Sequence, residues 1–191
     1  MKNQTSGRYI FRLAVTLFLI TAVMAGLLAA VNSVTKDKIA AARAEKTRLA
    51  IAQVLPGVKS YIEYPFTDES GMIVRVYAED DAVMEPCRFA VEVCPAGFGG
   101  GISMLVGVTV RGEVLGISII SHSESAGLGA VAAAKTAAGE AFRGQFGGVT
   151  EEVSVTKDGG QIDAITGATI TSRGVCEGVN AAIAWLKEGA K

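Results

Sequence analysis

The feature that most constrains this sequence is a long stretch without charge near its start, from Leu13 to Val31. At about 1.5 Å per residue, this stretch forms roughly 28 Å of helix, close to the hydrocarbon thickness of a bilayer. A cleaved signal peptide is the alternative, because basic residues precede the stretch, but its apolar region is normally only about 7–15 residues long. We therefore predict a retained transmembrane anchor at residues 13–34, after a tail at residues 1–12.

The charges around the anchor do not by themselves fix its orientation. More Lys and Arg residues follow the anchor than precede it, which favours a cytoplasmic C-terminal side. Long domains, however, cross membranes largely regardless of their charge. On this ground we predict that the tail at residues 1–12 is cytoplasmic, while the residues alone leave the opposite orientation open.

The composition of the whole chain excludes several classes of protein. The 18 basic and 19 acidic residues nearly balance, without a long basic run, which argues against nucleic acid as a partner. A single histidine, His122, excludes sites that need two imidazoles, and we predict no metal site. Three cysteines in 191 residues exclude a dense disulfide framework. Cys87 and Cys94 flank an extended apolar run, which would hold their sulfur atoms too far apart for a disulfide, so we predict free thiols there. We assign Cys176 to helix packing.

After the anchor, the pattern of apolar residues divides the chain into a stalk and one domain. Residues 35–57 form a charged helical stretch that ends at Pro56-Gly57, and residues 58–191 contain short strand-like runs and helices. Arg111-Gly112 marks a tight hairpin turn between two runs. These elements predict an α+β domain with antiparallel strands and flanking helices. The predicted strands are 72–78, 88–93, 102–110, 114–121, 152–156 and 162–165, and the predicted helices are 127–145 and 172–188.

Two familiar enzyme motifs are incomplete. Residues 127–132 fit the dinucleotide-binding pattern G-x-G-x-x-A, but several residues separate them from the preceding strand, and too little chain follows for a doubly wound sheet. A serine hydrolase would have to use His122, yet the sequence has no G-x-S-x-G elbow. We therefore predict no catalytic residue for a soluble substrate.

The most informative segment is Asp163–Ser172, which places an acid and several hydroxyl groups between a predicted strand and a predicted helix. Helix N-termini expose unpaired N–H groups and partial positive charge, so they bind anions. A plain connection in which Thr171 or Ser172 caps the helix is the simpler interpretation. The residues alone leave both interpretations open.

Asp163–Thr169 matches the signature D-x-x-[ST]-G-A-T, and through it the chain resembles proteins that carry FMN covalently on threonine. In that family a flavin transferase attaches FMN, taken from FAD, to the last threonine through a phosphoester. The resemblance makes Thr169 the attachment residue. It also implies that the transferase recognises Asp163, Thr166, Gly167 and Ala168.

A second segment, His122–Gly129, resembles the H-x-E-T-P-G-L-G loop that lies against the flavin in the same family. Ser125 stands where the family has threonine, and Ala126 stands where it has proline. The glycine-rich run Gly97–Gly101 also resembles a family segment. The resemblance implies FMN contacts by Glu124, Ser125, Gly127, Leu128, Gly129, Thr166, Gly167, Ala168 and Thr171.

Together these segments resemble the G subunit of the Rnf complexes, which are ion-translocating ferredoxin:NAD oxidoreductases. A related family is the C subunit of the sodium-pumping NADH:quinone reductase, whose chain is usually longer, so the length favours Rnf. In both, a single N-terminal span in the cytoplasmic (inner) membrane of a prokaryote anchors a domain outside that membrane. The resemblance therefore implies an extracytoplasmic domain, the lipid bilayer as partner of residues 13–34, and other membrane subunits as further partners.

The resemblance implies an electron relay inside a complex rather than a self-sufficient enzyme. Lys157, just before the signature, has two interpretations. In the first it places a cation near the flavin ring or phosphate, and in the second it is a solvated surface lysine. The alternative function is a non-redox anchored module for binding or assembly, whose threonine-rich turn is only a helix cap. Flavin fluorescence that survives denaturation in SDS distinguishes these two functions.

Overall fold

The computed structural model describes residues 3–68, 70–80 and 88–189. Over these residues, one long helix, α1, is followed by five strands and two further α-helices. It divides into two compact units, with the boundary between Glu45 and Lys46. The elements are α1 (Asn3–Val54), β1 (Tyr61–Tyr64), β2 (Ile73–Glu79), β3 (Arg88–Val93), β4 (Ser103–Thr109), β5 (Val114–Ser121), α2 (Ala137–Gly144) and α3 (Thr169–Gly189), with 3-10 helices at Gly129–Ala133 and Thr156–Asp158.

In the first unit, α1 is long and apolar enough to cross a membrane. The apolar side chains of the predicted anchor are exposed, and Leu28 reaches 74% exposure. The hydroxyl groups of Thr16 and Thr21 donate to the carbonyls of Arg12 and Leu17, at 2.8 and 3.0 Å. Because hydrocarbon offers no hydrogen-bond partner, internal bonding of this kind suits a helix in lipid. These features are consistent with a membrane-anchored chain.

The second unit contains a five-stranded antiparallel sheet in the order β1-β2-β3-β4-β5. Strands β2 to β5 agree with four predicted strands to within one or two residues, and the predicted α+β class is confirmed. Gly112 has a φ of +81°, and its N–H donates to the Thr109 carbonyl at 2.8 Å, which confirms the predicted hairpin turn. The edge strand β1 was not predicted, because its side chains are mostly exposed and show no alternation.

One face of this sheet packs against α3 and forms the main core. Val76, Val91 and Val106 come from three neighbouring strands and are fully buried. Val175 and Val179 of α3 belong to the same apolar cluster. Because side chains alternate along a strand, each strand contributes every second residue to this face. The packing fixes the position of α3 relative to the sheet, and with it the segment at which α3 begins.

The opposite face of the sheet is covered by the last turns of α1, which belong to the second unit. Ile51 and Val54 are buried there together with Ala90 and Leu105. Gly107 permits this close approach, because a Cβ at that position would meet the Val54 carbonyl oxygen. The final turn of the predicted stalk is therefore part of the core of the domain.

The prediction of a single helix at 127–145 is wrong. A 3-10 helix covers Gly129–Ala133, after which Ala134 is extended, with φ −67° and ψ 142°. Thr136 then caps α2, since its Oγ1 accepts the Gly139 N–H at 3.3 Å. The alanine-rich composition favours a helix, but a threonine side chain that bonds the backbone favours a new start.

Two short strands were predicted after α2, at 152–156 and 162–165, and neither forms a strand. A single parallel bridge joins Val155 to Ile162 in this part of the chain. A 3-10 helix turns the chain between these two residues, so the apolar runs are too short to extend the pairing.

Candidate functional site

Thr169 is the first residue of α3, so that helix begins earlier than the predicted start at Ser172. The Ser172 N–H donates to the Ala168 carbonyl at 3.0 Å, which makes the first helical hydrogen bond. The Ser172 hydroxyl accepts the Ile165 N–H at 3.0 Å and donates to the same carbonyl of Ala168. Ser172 therefore fixes the preceding loop from inside the helix and is not its N-cap. The N–H groups of a first helical turn have no partner within the helix, which suits them to an anion.

A cavity of about 310 Å³ lies beside this helix start, and we call it the acceptor cavity. Four separate parts of the chain line it: the glycine-rich run after β3, the loop after β5, the second 3-10 helix and the first turn of α3. Most of the residues predicted to bind the cofactor therefore lie together. The lining residues are Phe98, Glu124, Ser125, Leu128, Gly129, Lys157 and residues 167–171.

Lys157 lies at the hydroxyl of Thr169, with 3.2 Å between Nζ and Oγ1. The neighbouring Asp158 forms a bidentate ion pair with Arg173 of α3, at 2.6 and 2.7 Å. The hydrogen bond from Arg173 lowers the pKa of Asp158, and the pair ties the 3-10 helix to α3. A hydroxyl, a cation and a helix N-terminus therefore meet at one point, which suits a phosphate group.

Glu124 is buried and joins distant segments around the acceptor cavity. Its carboxylate accepts the Gly99 N–H at 2.9 Å and the Thr171 hydroxyl at 2.5 Å. Gly129 packs so closely that a Cβ there would meet both the Glu124 carboxylate and the Thr171 hydroxyl. Glu124 is therefore a positioning residue, which holds the glycine-rich run and the first turn of α3 together.

Three apolar side chains on the lining of this cavity are exposed. Phe98 is 68% exposed, Leu128 is 45% exposed and Ile170 is 51% exposed. Large apolar side chains that line one cavity in this way mark a binding surface for an apolar group. Phe98 and Ile170 were not predicted as site residues, although Phe98 lies in the glycine-rich run and Ile170 directly follows the signature.

Three predicted site residues, Gly127, Asp163 and Thr166, line a different groove of about 600 Å³, which α2 also lines. We call it the α2 groove. Gly167, with a φ of +76°, turns the chain between the part of the signature that lines this groove and the part that lines the acceptor cavity. A Cβ at Gly167 would also meet the Leu128 side chain, so this turn is closely packed. The signature is therefore divided between two cavities.

Among the described residues, no group of three or more His, Cys, Asp or Glu side chains is placed to hold a metal ion. Cys94 is exposed and Cys176 is buried, and both are free thiols, while Cys87 lies outside the described residues. Burial raises the pKa of the Cys176 thiol to about 11, so this group is a neutral packing residue at physiological pH.

The acceptor cavity fits FMN by its chemistry. Exposed apolar side chains suit the flat ring system, and the ammonium group of Lys157 with the first turn of α3 suits the phosphate. The Thr169 hydroxyl lies at the same end as Lys157. The donor set is therefore that of an organic phosphate site rather than of a metal centre.

Two family models match the chain. Residues 97–184 match the FMN-binding domain, and residues 1–54 match the RnfG N-terminal region. The first match contains the whole lining of the acceptor cavity, and the second contains α1.

Curated relatives are similar over nearly the whole chain. The G subunit of the ion-translocating oxidoreductase complex of Methanosarcina acetivorans is 30% identical over 189 residues, which cover 95% of this chain and 97% of the relative. The G subunit of the Na(+)-translocating ferredoxin:NAD(+) oxidoreductase complex of Acetobacterium woodii is 34% identical, with 95% and 94% covered. The G subunit of the proton-translocating ferredoxin:NAD(+) oxidoreductase complex of Clostridium ljungdahlii is 45% identical over 91 residues, which cover 46% of each chain.

Proposed function

Since this chain belongs to the family of G subunits of the ion-translocating oxidoreductase complexes, we propose that it relays electrons as a membrane-anchored flavoprotein subunit of an Rnf-type ferredoxin:NAD oxidoreductase. Bound FMN supplies the chemistry, because it accepts electrons singly or in pairs and passes them on. The residues of the acceptor cavity bind and orient the cofactor. The protein therefore acts as a carrier inside a complex rather than as a self-sufficient enzyme.

We further propose that FMN is held covalently, by a phosphoester between its phosphate and the Thr169 hydroxyl. The observation that carries this proposal is the position of that hydroxyl on the first residue of α3, 3.2 Å from the Lys157 Nζ. The other two threonines of the segment are less suited to this role. Thr171 donates its hydroxyl to the buried Glu124, and Thr166 lines the α2 groove.

The remaining residues of the acceptor cavity serve the ring system. Phe98, Leu128 and Ile170 offer apolar surface that excludes water from it. Gly129 lets the backbone pack directly onto Glu124, which keeps the loop after β5 against the cavity. Lys157 supplies positive charge, which favours an anionic group at that end of the cavity.

We propose that residues 13–34 lie in the lipid bilayer of the cytoplasmic (inner) membrane of a prokaryote. The tail at 1–12 is then cytoplasmic, and the stalk at 35–57 and the domain at 58–191 are extracytoplasmic. The apolar exposed surface of α1 supports the membrane location. The proposed partners are the other membrane subunits of the complex, and a flavin transferase that loads FMN onto Thr169.

Replacement of Thr169 tests the attachment. In cells that contain a flavin transferase, the wild-type chain should show flavin fluorescence that survives SDS gel electrophoresis. Thr169→Ala should lose this fluorescence and stay folded, because one partly exposed hydroxyl contributes little to stability. The control Thr150→Ala, at an exposed threonine that lines neither site, should keep it. Covalent flavin in Thr169→Ala would contradict the attachment, and a wild-type chain without flavin would favour the non-redox module.

A further inference from the structure

A basic cavity of about 280 Å³ lies between the last turns of α1 and strand β5, and we call it the α1–β5 cavity. The chain between the first 3-10 helix and α2, together with α2 itself, completes its lining. All of its lining residues belong to the second unit, and none of them lines the acceptor cavity. The binding of FMN therefore makes no use of this cavity.

The charge of the α1–β5 cavity is one-sided. Among the described residues, three basic side chains and no acidic one line it. Lys46 comes from α1, Lys135 precedes α2, and Arg143 belongs to α2. None of these three forms an ion pair with a residue that the structure describes. Because like charges repel one another, three unpaired cations on one small cavity favour an anion between them.

Arg143 is held in a fixed position at this cavity. Its Nη1 donates to the carbonyls of Ala132 and Ala134, at 2.6 and 3.0 Å. Its Nε and Nη2 have no hydrogen bond to any described residue, and the side chain is half-buried. The two backbone contacts order the guanidinium group, so its remaining donors bind a ligand with little further loss of side-chain freedom.

The remaining lining supports an anion at the same place. Ile119 and Ala50 contribute apolar surface, which strengthens the attraction between charges by excluding water. The side-chain oxygen of Gln53 accepts the buried Ser118 hydroxyl at 2.8 Å. The amide nitrogen of Gln53 makes no hydrogen bond to a described residue, so it adds a neutral donor to the cavity.

We infer that the α1–β5 cavity binds a phosphate group, either as free phosphate or as the phosphomonoester headgroup of a lipid. The cations come from three separate elements, so the ligand must accept from several directions. A phosphate group presents oxygens tetrahedrally and carries close to two negative charges near neutral pH, whereas a carboxylate has two oxygens in one plane. A lipid source is open to this chain, since α1 is apolar enough to cross a membrane.

Lysine acylation, read by mass spectrometry, tests this inference in the full-length protein in phosphatidylcholine nanodiscs. Inorganic phosphate is added at constant ionic strength. When the cavity is filled, the acylation rates of Lys46 and Lys135 should fall by about five-fold or more, because a bound anion covers their amines. The exposed Lys59, which does not line the cavity, is the control within the same molecule and should keep its rate. Lys157 reports the acceptor cavity separately.

Reciprocal variants show whether the two lysines serve one ligand. Lys135→Gln should raise the Kd for phosphate measured at Lys46 by about ten-fold, and Lys46→Gln should do the same for the Kd measured at Lys135. The matched control Lys59→Gln should leave both values unchanged. The fluorescence of Trp185, which is buried in the core of the domain and is the only tryptophan of the chain, checks that each variant is folded.

A second set of nanodiscs, which contain phosphatidic acid and no free phosphate, distinguishes the two sources. Protection of Lys46 and Lys135 there identifies the lipid headgroup as a ligand, and protection by inorganic phosphate alone identifies free phosphate. Unchanged rates under both conditions would overturn the inference. Equal protection of Lys59 would overturn it as well, because the effect would then be general screening of charge. Protection that appears only in the assembled complex, without either phosphate source, would make the cavity a protein contact and would also overturn it.

Discussion

At the scale of single residues, the acceptor cavity depends on one buried carboxylate. Glu124 accepts hydrogen bonds from Gly99 and Thr171, which lie 25 and 47 residues away along the chain. An unpaired buried acceptor costs more free energy than a paired one gains, so each partner matters to stability. The side chain therefore sets the cavity's shape before any cofactor arrives.

The hydrogen bond between Glu124 and Thr171 should be measurable as a coupling energy. Glu124→Ala and Thr171→Val should each lower the free energy of unfolding by roughly 1–3 kcal/mol, because each leaves a buried group without its partner. The double variant should lose less than the sum of the two, as urea unfolding can measure. The effects of Glu124→Ala and Thr150→Val should be additive in the combined variant. Additive losses in the Glu124–Thr171 pair would show that the bond does not support the cavity.

We expect Lys157 to assist the transfer of FMN to Thr169 rather than the binding of the flavin transferase. A cation at the Thr169 oxygen favours loss of the hydroxyl proton and stabilises the charge that develops there. Lys157→Met should therefore lower kcat for flavin transfer by about ten-fold or more, with little change in KM for the acceptor protein. Lys157→Arg should recover part of the rate. An unchanged kcat in Lys157→Met would identify Lys157 as a solvated surface lysine.

At the scale of elements, the sequence correctly predicted the regular strands. It did not predict the features that depend on hydrogen bonds between side chains and the backbone. The apolar runs of β2 to β5 were predicted well, because buried strands in this sheet are almost continuously apolar. The helix predicted at 127–145 failed at Thr136, whose hydroxyl starts a new helix. The second groove could not be predicted, since it depends on the contact between Gln145 and Asp163, which no periodicity indicates.

The signature Asp163–Thr169 also has structural features that the sequence alone did not predict. The match to Asp163–Thr169 predicted residues of which Gly167, Ala168 and Thr169 line the acceptor cavity. The resemblance to the G subunits of the Rnf complexes is confirmed by the relatives. Nothing in the residue pattern indicated that α3 begins at Thr169 itself, or that Asp163 and Thr166 lie outside the acceptor cavity. Both facts depend on the turn at Gly167, which tertiary packing against Leu128 holds in place.

At the scale of the whole molecule, the chain combines an apolar N-terminal helix with a flavin-type domain in the second unit. An anchor keeps a carrier subunit at the membrane, where its electron partners lie in our proposal. The numbers of Lys and Arg residues on the two sides of the anchor do not settle its orientation. The basic residues that follow the span favour a cytoplasmic domain, which is the opposite of our proposal.

A thiol-labelling experiment tests that orientation. In a variant without the three native cysteines, Arg111→Cys introduces a thiol at an exposed position in the turn between β4 and β5. A membrane-impermeant thiol reagent should label it in intact cells, because the domain is extracytoplasmic in our proposal. Gln4→Cys, in the tail, should be labelled only after the cells are permeabilised. The reverse pattern would place the domain in the cytoplasm.

Mass spectrometry of the protein after maturation with a flavin transferase tests whether FMN is attached to Thr169. Trypsin cleaves after Lys157 and Arg173 and releases one peptide, residues 158–173, that contains Thr166, Thr169 and Thr171. We predict that this peptide gains the mass of FMN less one water, and that its fragment ions assign the added mass to Thr169. An unmodified peptide, or FMN on Thr166 or Thr171, would contradict the proposed attachment to Thr169.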